Sequence, residues 1–187
     1  ILLTILMATV FLGTIYPMVS DGFGWGKVSV GAPYFNFFWV LLVIPLCLLM
    51  GASALSQWKQ TSAKIYKKYL KLPFIISLVA GLVFPFFYGD SYRIGGAVTV
   101  FVAVWIVAAT LSAVLRQTRN APSLWAGLRR LKMSYYTMVV AHIGVGVFFL
   151  GAGLTSVYAV ERNLIMLPGT SQELFGYKWE FAGVEER

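Results

Sequence analysis

The chain has a single histidine, and it lies in an apolar stretch long enough to cross a lipid bilayer. This residue, His142, has no charged neighbour between positions 134 and 159. Ionisable side chains are costly inside a membrane span, and those that occur there usually have a function. On a helix, Gly146, Phe149 and Gly153 follow His142 along one face, so a stripe of nearly bare backbone lies beside the imidazole. Either a flat aromatic cofactor or a second helix could approach such a stripe closely.

Three kinds of role are compatible with this histidine. The imidazole could donate a hydrogen bond to a neighbouring helix and serve packing alone. It could relay protons, but a relay needs carboxylate or further histidine partners, and no acid lies within any predicted span. It could be an axial ligand of haem iron, with its other ring nitrogen held by an acceptor. A haem with two histidine ligands would need a second histidine from elsewhere, so His142 could supply half of such a site.

The composition predicts an all-α integral membrane protein. The mean hydropathy is +0.77, and 59% of the residues are hydrophobic while only 12% are charged, outside the range of ordinary soluble domains. Because no charged segment precedes the first apolar run, we expect the chain to be an internal piece of a longer polypeptide. Cys47 is the only cysteine, which excludes an internal disulfide and leaves packing as its expected role. The apolar runs predict about five spans, at 1–17, 36–55, 72–89, 95–115 and 135–159.

The positive charge follows the pattern of a membrane topology. Segments 57–71 and 116–132 hold ten of the fifteen Lys and Arg residues and none of the seven acids. Short loops rich in Lys and Arg stay on the cytoplasmic side, so the loop over 20–36 and the chain after Tyr158 are predicted to lie outside. The net charge of +8 is therefore expected to face anionic lipid, and nucleic acid is not an expected partner.

Two segments outside the spans carry further predictions. The loop over 20–36 contains four glycines and Pro33, which predict a turn-rich connection, with Pro17 ending the helix before it. It is either a simple turn at the membrane surface or a loop that lines a binding site. Its glycines follow a membrane helix, so they do not match a dinucleotide-binding fingerprint.

The tail after residue 159 changes character. Residues 177–181 alternate aromatic and charged side chains, the pattern of a half-buried strand. Residues 162–167 are its predicted partner, with a turn at 168–169 between them. Residues 1–159 are thus predicted to be the transmembrane helical region, and 160–187 the truncated beginning of a small extracytoplasmic (periplasmic) β-domain.

Five stretches resemble one known family in residue type and in order. They are residues 27–36 (KVSVGAPYFN), 141–146 (AHIGVG), 158–162 (YAVER), 167–170 (LPGT) and 181–186 (FAGVEE). Together they resemble the CcmF family, the large membrane subunit of the bacterial cytochrome c maturation haem lyase. The resemblance covers essentially the whole chain and places it in the C-terminal half of that subunit. The paralogous NrfE subunit, dedicated to nitrite reductase maturation, shares these features.

The resemblance implies a function. His142 matches one of two transmembrane histidines that ligate a b-type haem in that family, and Gly146 would allow the haem to approach closely. The family attaches haem to apocytochrome c on the outer face of the bacterial inner membrane, where Trp25 and Tyr34 are candidate residues of the substrate side. The expected partners are the haem chaperone CcmE and the thiol-handling subunit CcmH. The family's tryptophan-rich segment, its two external histidines and its other transmembrane histidine are expected upstream of Ile1.

An alternative belongs to another class of protein. In a transporter or channel subunit, His142 and the glycines would form a helix-packing seam. Such a protein would hold no haem, and it would usually carry an internal repeat, of which the sequence shows no convincing example.

Overall fold

A computed structural model describes residues 1–56, 61–89, 91–160, 164–174 and 176–183. These residues form helices and one small antiparallel sheet. The α-helices are α1 (Leu2–Gly22), α2 (Ala32–Phe38), α3 (Ile44–Ser53), α4 (Ala63–Phe87), α5 (Ile94–Thr118), α6 (Leu124–Arg129) and α7 (Met133–Tyr158), a π-helical turn at Trp39–Val43 joins α2 to α3, and the strands are β1 (Ser171–Leu174) and β2 (Tyr177–Glu180).

Five helical stretches of this structure are long and apolar enough to cross a membrane. They have 21 to 26 residues each, and most of the large apolar side chains of α1 and α4 are exposed, as expected where lipid is the solvent. The five helices and the two-stranded sheet confirm the predicted fold class. The stretches are Leu2–Gly22, Ala32–Ser53, Ala63–Phe87, Ile94–Thr118 and Met133–Tyr158.

Helix α5 is the centre of the bundle, because it packs against α3, α4 and α7. Small residues let these helices approach: an added Cβ at Gly81 of α4 would lie 2.7 Å from the carbonyl oxygen of Ala97. The Trp105 indole nitrogen donates a hydrogen bond to the Leu48 carbonyl oxygen of α3 at 3.0 Å. The buried core consists of Val43, Cys47, Val102, Trp105, Ile106 and Phe149. Cys47 therefore lies in the core, where packing was its expected role.

The two basic segments meet at one end of the bundle. The Arg116 guanidinium donates to the carbonyl oxygen of Leu55 at 3.0 Å, and the Arg119 guanidinium donates to the Tyr69 hydroxyl at 2.8 Å. The end where α3 and α5 finish and where α4 and α7 begin is called the basic end below. Lys59 lies outside the described residues.

The opposite end is fixed by a clamp between α5 and α7. The Arg93 guanidinium donates to the carbonyl oxygen of Val157 and lies 5.4 Å from the ring centroid of Tyr158. The Tyr158 ring packs onto the backbone of Gly96, where an added Cβ would lie 2.5 Å from the hydroxyl. Asp90 lies outside the described residues.

The prediction that Pro17 ends the first helix is wrong. The helix continues through Pro17 to Gly22. A proline is tolerated inside a membrane helix because neighbouring helices and local adjustments satisfy the freed backbone groups. The predicted loop is consequently shorter, covering 23–31, and Pro33 lies in the first turn of α2, where its missing N–H costs nothing.

The predicted start of the third span at residue 72 is also wrong. Helix α4 begins at Ala63, and the Ser62 hydroxyl caps it by accepting from the Lys64 amide. Four of the lysines assigned to a loop therefore lie on the first turns of a helix. The hydropathy pattern marked where the apolar part begins, and the helix itself extends further toward the basic end. These lysines are Lys64, Lys67, Lys68 and Lys71.

The tail forms a hairpin with a different partner from the predicted one. β2 is the expected strand, but it pairs with β1, Glu173 lying opposite Lys178. Residues 164–167 form no strand, and 161–163 lie outside the described residues. Gly176, at a φ of +79°, supplies the left-handed conformation needed next to the hairpin turn. The predicted turn at 168–169 exists, but it precedes β1.

Candidate functional site

His142 lies on α7, nine residues after Met133 and so ~14 Å along the helix from the basic end. Its Nδ1 atom is 2.9 Å from the carbonyl oxygen of Met138, one turn earlier. A carbonyl oxygen only accepts, so Nδ1 must carry the proton and donate it. In the neutral ring the proton is then absent from Nε2, whose lone pair is free. The helix backbone thus fixes both the tautomer and the orientation of the imidazole.

The Nε2 atom is buried and has no hydrogen-bond partner in the described part of the chain. A buried polar atom without a partner is costly, and each such atom in a folded protein asks for an explanation. A lone pair that is shielded from water and held in one direction is what a metal ion requires of a histidine ligand. The residue was predicted as a haem ligand, and its local geometry fits that role.

An apolar cavity of about 530 Å³ lies beside the imidazole, between α3 and α7. Its size is in the range of small-molecule and cofactor sites. Its lining is almost entirely hydrocarbon, aromatic or sulfur, and His142 is its one ionisable nitrogen base. The lining residues are Leu3, Trp39, Val43, Leu46, Cys47, Leu49, Met50, Ser53, His142, Val145, Phe148 and Phe149.

The wall of this apolar cavity furthest from the basic end is an aromatic pair. The rings of Trp39 and Phe149 stack with centroids 6.0 Å apart and planes 11° from parallel. Trp39 begins the π-helical turn, a local widening of the helix that recurs at functional sites. Pro45 follows that turn and removes one backbone donor from it. Both rings also line a second apolar cavity of about 410 Å³ between α3, α5 and α7.

A polar cavity of about 510 Å³ adjoins His142 on the side of the basic end. His142 and Ser53 line both this cavity and the apolar one, so the two spaces meet at the imidazole. The polar cavity, called the basic cavity below, contains two cations and several hydroxyl and amide groups. It is lined by Ser53, Ala54, Ser56, Gln117, Arg130, Leu131, Lys132, Ser134, Tyr135, Met138 and His142.

Gly146 and Gly153, which follow His142 along one face of α7, pack against α5. An added Cβ at Gly146 would lie 3.0 Å from Val107 Cγ2 and 3.3 Å from the Ala103 carbonyl oxygen, both on α5. An added Cβ at Gly153 would lie 2.5 Å from Thr99 Cγ2, also on α5. These glycines therefore form a close seam between α5 and α7. The approach of Gly146 to a cofactor stays a prediction.

Trp25 and Tyr34 are separate from His142 in the structure and line none of the cavities described above. Trp25 is 69% exposed and stacks on Phe23, with ring centroids 5.2 Å apart. The Tyr34 hydroxyl donates to the carbonyl oxygen of Thr9 at 3.1 Å, which ties α2 to α1. Trp25 is thus free to contact a partner, while Tyr34 has a structural contact. Their predicted place on the substrate side stays a prediction.

Several residues of the site did not stand out in the sequence. Leu46, Met50 and Phe148 are ordinary members of apolar runs, and only the fold brings them to His142. In the sequence, Arg130 and Lys132 were noted only as members of the basic segment 116–132. A partial signal existed, because Trp39 precedes Pro45 by six residues and an irregular helix turn often accompanies such a proline.

The described residues can hold a haem from one side only. No group of three or more His, Cys, Asp or Glu side chains that could bind a metal ion occurs among them. A single imidazole with a free lone pair and an apolar cavity fits one axial position of a haem, whose iron takes four further ligands from its own porphyrin. That His142 supplies half of a haem site stays a prediction.

Known proteins resemble the chain over its whole length. It is 34% identical to the cytochrome c-type biogenesis protein CcmF of Pseudomonas fluorescens over 185 residues, covering 99% of this chain and 28% of that protein. It is 32% identical to CcmF of Escherichia coli (strain K12), covering 100% of this chain and 28% of the relative. The biogenesis protein NrfE of Haemophilus influenzae is 29% identical, covering 97% of this chain and 27% of NrfE.

The chain spans a little over a quarter of the length of these relatives. No protein-family model matches it, and no solved structure does. Several CcmF proteins nevertheless match it from end to end at 28% to 34% identity, which is the family predicted from the sequence motifs. The chain, a multi-pass membrane segment by its five apolar helices, therefore belongs to the CcmF family of cytochrome c-type biogenesis proteins.

Proposed function

We propose that the chain is the part of a cytochrome c haem lyase that supplies one axial ligand, His142, to a b-type haem. The observation that carries the proposal is the buried Nε2 atom, which has no partner among the described residues and belongs to a side chain that lines an apolar cavity. The hydrogen bond from Nδ1 to the Met138 carbonyl oxygen supports it, because it leaves the lone pair on Nε2. The second ligand comes from outside this chain.

Different residues of the chain have different roles in binding the haem. His142 binds the iron, the hydrogen bond to Met138 sets the direction of the ring, and Trp39 and Phe149 form an apolar wall that excludes water. A low-polarity, water-free surrounding shifts a haem's reduction potential, and so does axial-ligand basicity. When bound, the haem supplies one-electron redox chemistry, which serves reduction of the haem iron that is to be attached to apocytochrome c.

The membrane arrangement follows from the charges. The basic end faces the cytoplasm and anionic lipid, and the opposite end, with Trp25 and the hairpin after Tyr158, faces the periplasm of a bacterial inner membrane. Haem transfer takes place on that outer side, with the haem chaperone CcmE, CcmH and apocytochrome c as partners. The gathering of the basic segments at one end supports this orientation.

The test is the absorption spectrum of the complete protein in detergent, oxidised and dithionite-reduced. The wild type is expected to show the sharp reduced bands of a low-spin b haem. The variant His142→Ala is expected to lose them while still inserting, because the hydropathy and the basic segments are unchanged. Added imidazole should restore the low-spin spectrum of that variant by filling the vacated ligand position.

Two results would contradict the proposal. One is an unchanged six-coordinate spectrum in His142→Ala, which would assign the iron to another ligand. The other is a wild-type protein without haem after haem-replete expression. That second result would return His142 to helix packing and favour the transporter or channel alternative, for which the glycine seam against α5 is the supporting observation.

A further inference from the structure

Two cationic side chains that line the basic cavity have no interaction partner among the described residues. Within the described part of the chain, the side chains of Arg130 and Lys132 form no hydrogen bond, ion pair or ring contact, and both are exposed at the cavity. The side chains of the other arginines near this end do form such contacts. Arg116 and Arg119 donate hydrogen bonds at 3.0 and 2.8 Å, and the Arg129 guanidinium carbon lies 5.0 Å from the ring centroid of Trp125.

The basic cavity also lacks a compensating negative charge. No Asp or Glu occurs among its lining residues. Besides His142, its remaining polar side chains are hydroxyls and one amide, from Ser53, Ser56, Ser134, Tyr135 and Gln117. Two unpaired cations among neutral donors make a local positive potential, which favours an anion over a neutral or cationic ligand. The cavity is therefore suited to carboxylate or phosphate groups.

The position of the basic cavity narrows the choice of anion. It shares the lining residues His142 and Ser53 with the apolar cavity, so one ligand that occupied both spaces would contact the imidazole. Such a ligand needs a broad apolar body for the space lined by Trp39 and Phe149, and an anionic edge for the space lined by Arg130 and Lys132. Haem has this shape, because its porphyrin is apolar and its two propionate carboxylates lie together on one edge.

We propose that Arg130 and Lys132 bind the propionate carboxylates of the haem whose iron His142 ligates, and thereby fix which edge of the ring faces the basic end. This inference rests on the proposed function. The carboxylates then remain at the wet end of the site, so their charge is not buried without compensation. The arginine can bind a carboxylate with two parallel hydrogen bonds, whereas the lysine adds a compact charge.

An anionic lipid headgroup is the competing ligand for the same two cations. Its acyl chains would lie along the outside of the helices, so it would occupy the basic cavity without reaching Nε2 of His142. The haem explains both the free cations and the free lone pair with one ligand, and we therefore favour it.

The experiment compares haem with its dimethyl ester, in which both carboxylates are neutral. Each is titrated into haem-free complete protein and followed by absorption. The wild type is expected to bind the ester about tenfold more weakly than haem, the effect of losing charge-assisted hydrogen bonds at an exposed site. The double variant Arg130→Gln/Lys132→Gln is expected to bind haem about as weakly as the ester and to lose the discrimination.

The matched control is Arg129→Gln. It removes a positive charge one residue away, from a guanidinium held over Trp125 and outside the cavity lining. The control is expected to keep the tenfold preference for haem. A second readout is the midpoint potential, which should fall in the double variant and stay constant in the control, because positive charge near a haem stabilises its reduced form.

Several outcomes overturn the inference and are distinguishable. Equal binding of haem and ester by the wild type contradicts it even if the double variant fails to fold. A double variant that discriminates like the wild type also contradicts it. If that variant loses copurifying anionic lipid while its discrimination is unchanged, the cations belong to a lipid site. A wild type in which neither haem nor ester gives a low-spin spectrum contradicts the proposed function itself.

Discussion

Two neighbouring parts of the surface of helix α7 pack differently. Toward α5 it presents Gly146 and Gly153, and the two helices lie so close that an added Cβ at Gly153 would be 2.5 Å from Thr99. Toward α3 it presents His142, Val145 and a cavity of about 530 Å³. In a membrane, close packing replaces the hydrophobic effect as the force between helices. The seam therefore holds the helix in place, and the open side keeps space for a ligand.

The largest expected effect concerns the seam. Gly153→Leu should destabilise the protein by about 3 kcal/mol, because the new Cβ would overlap the Thr99 side chain and push α7 away from α5. The matched control is Gly151→Leu on the same helix, since an added Cβ at Gly151 meets nothing within 4 Å. The measurement is the free energy of unfolding in a detergent titration. Equal losses in the two variants would show that the seam does not determine how α7 packs.

A smaller effect is expected at the polar contact between α3 and α5. Trp105→Phe keeps an aromatic ring but removes the indole N–H that donates to the Leu48 carbonyl oxygen at 3.0 Å. The expected loss is about 1 kcal/mol in the free energy of unfolding. The control Trp125→Phe changes a tryptophan that is 64% exposed and should cost less than ~0.5 kcal/mol. A loss of stability in the control as large as that in Trp105→Phe would argue against a role of this hydrogen bond.

The smallest effect on stability is expected on the open side. Val145→Trp should change the free energy of unfolding by less than ~0.5 kcal/mol, because the ring enters space that is empty of side chains. The same change should reduce the bound haem, measured by absorption, since the ring competes for the cavity. The control Val147→Trp lies outside the cavity lining and should keep its haem. Normal haem content in Val145→Trp would place the haem elsewhere.

The fold was largely predictable, because hydropathy and the placement of charge decide where membrane helices occur. The two errors in helix boundaries share one cause. Prolines and lysines often mark the end of a helix in a water-soluble protein, but they do not do so inside a membrane bundle. Helix α1 continues through Pro17, and α4 starts nine residues before its apolar part. The partner of β2 was also misassigned, because Gly176, beside the turn, is one glycine among many in this sequence.

The site was predictable only in part. His142 stood out because an ionisable group in a span is rare, and its motif resembled a known family. The cavity did not stand out, because Trp39, Leu46 and Phe148 look like any lipid-facing residues in a sequence. Which part of the α7 surface is left open depends on how three helices cross, and helix periodicity alone does not contain that information.

The clamp at the end of α7 opposite the basic end has a mechanical consequence. Arg93 and Tyr158 fix that end to α5, while His142 lies sixteen residues away, ~24 Å along the helix. The seam at Gly146 and Gly153 continues this attachment along the same length, and Gly146 is four residues, ~6 Å, from His142. Tilting of α7 about the clamp is therefore opposed by its contacts with α5, and the imidazole is carried by a rigid helix.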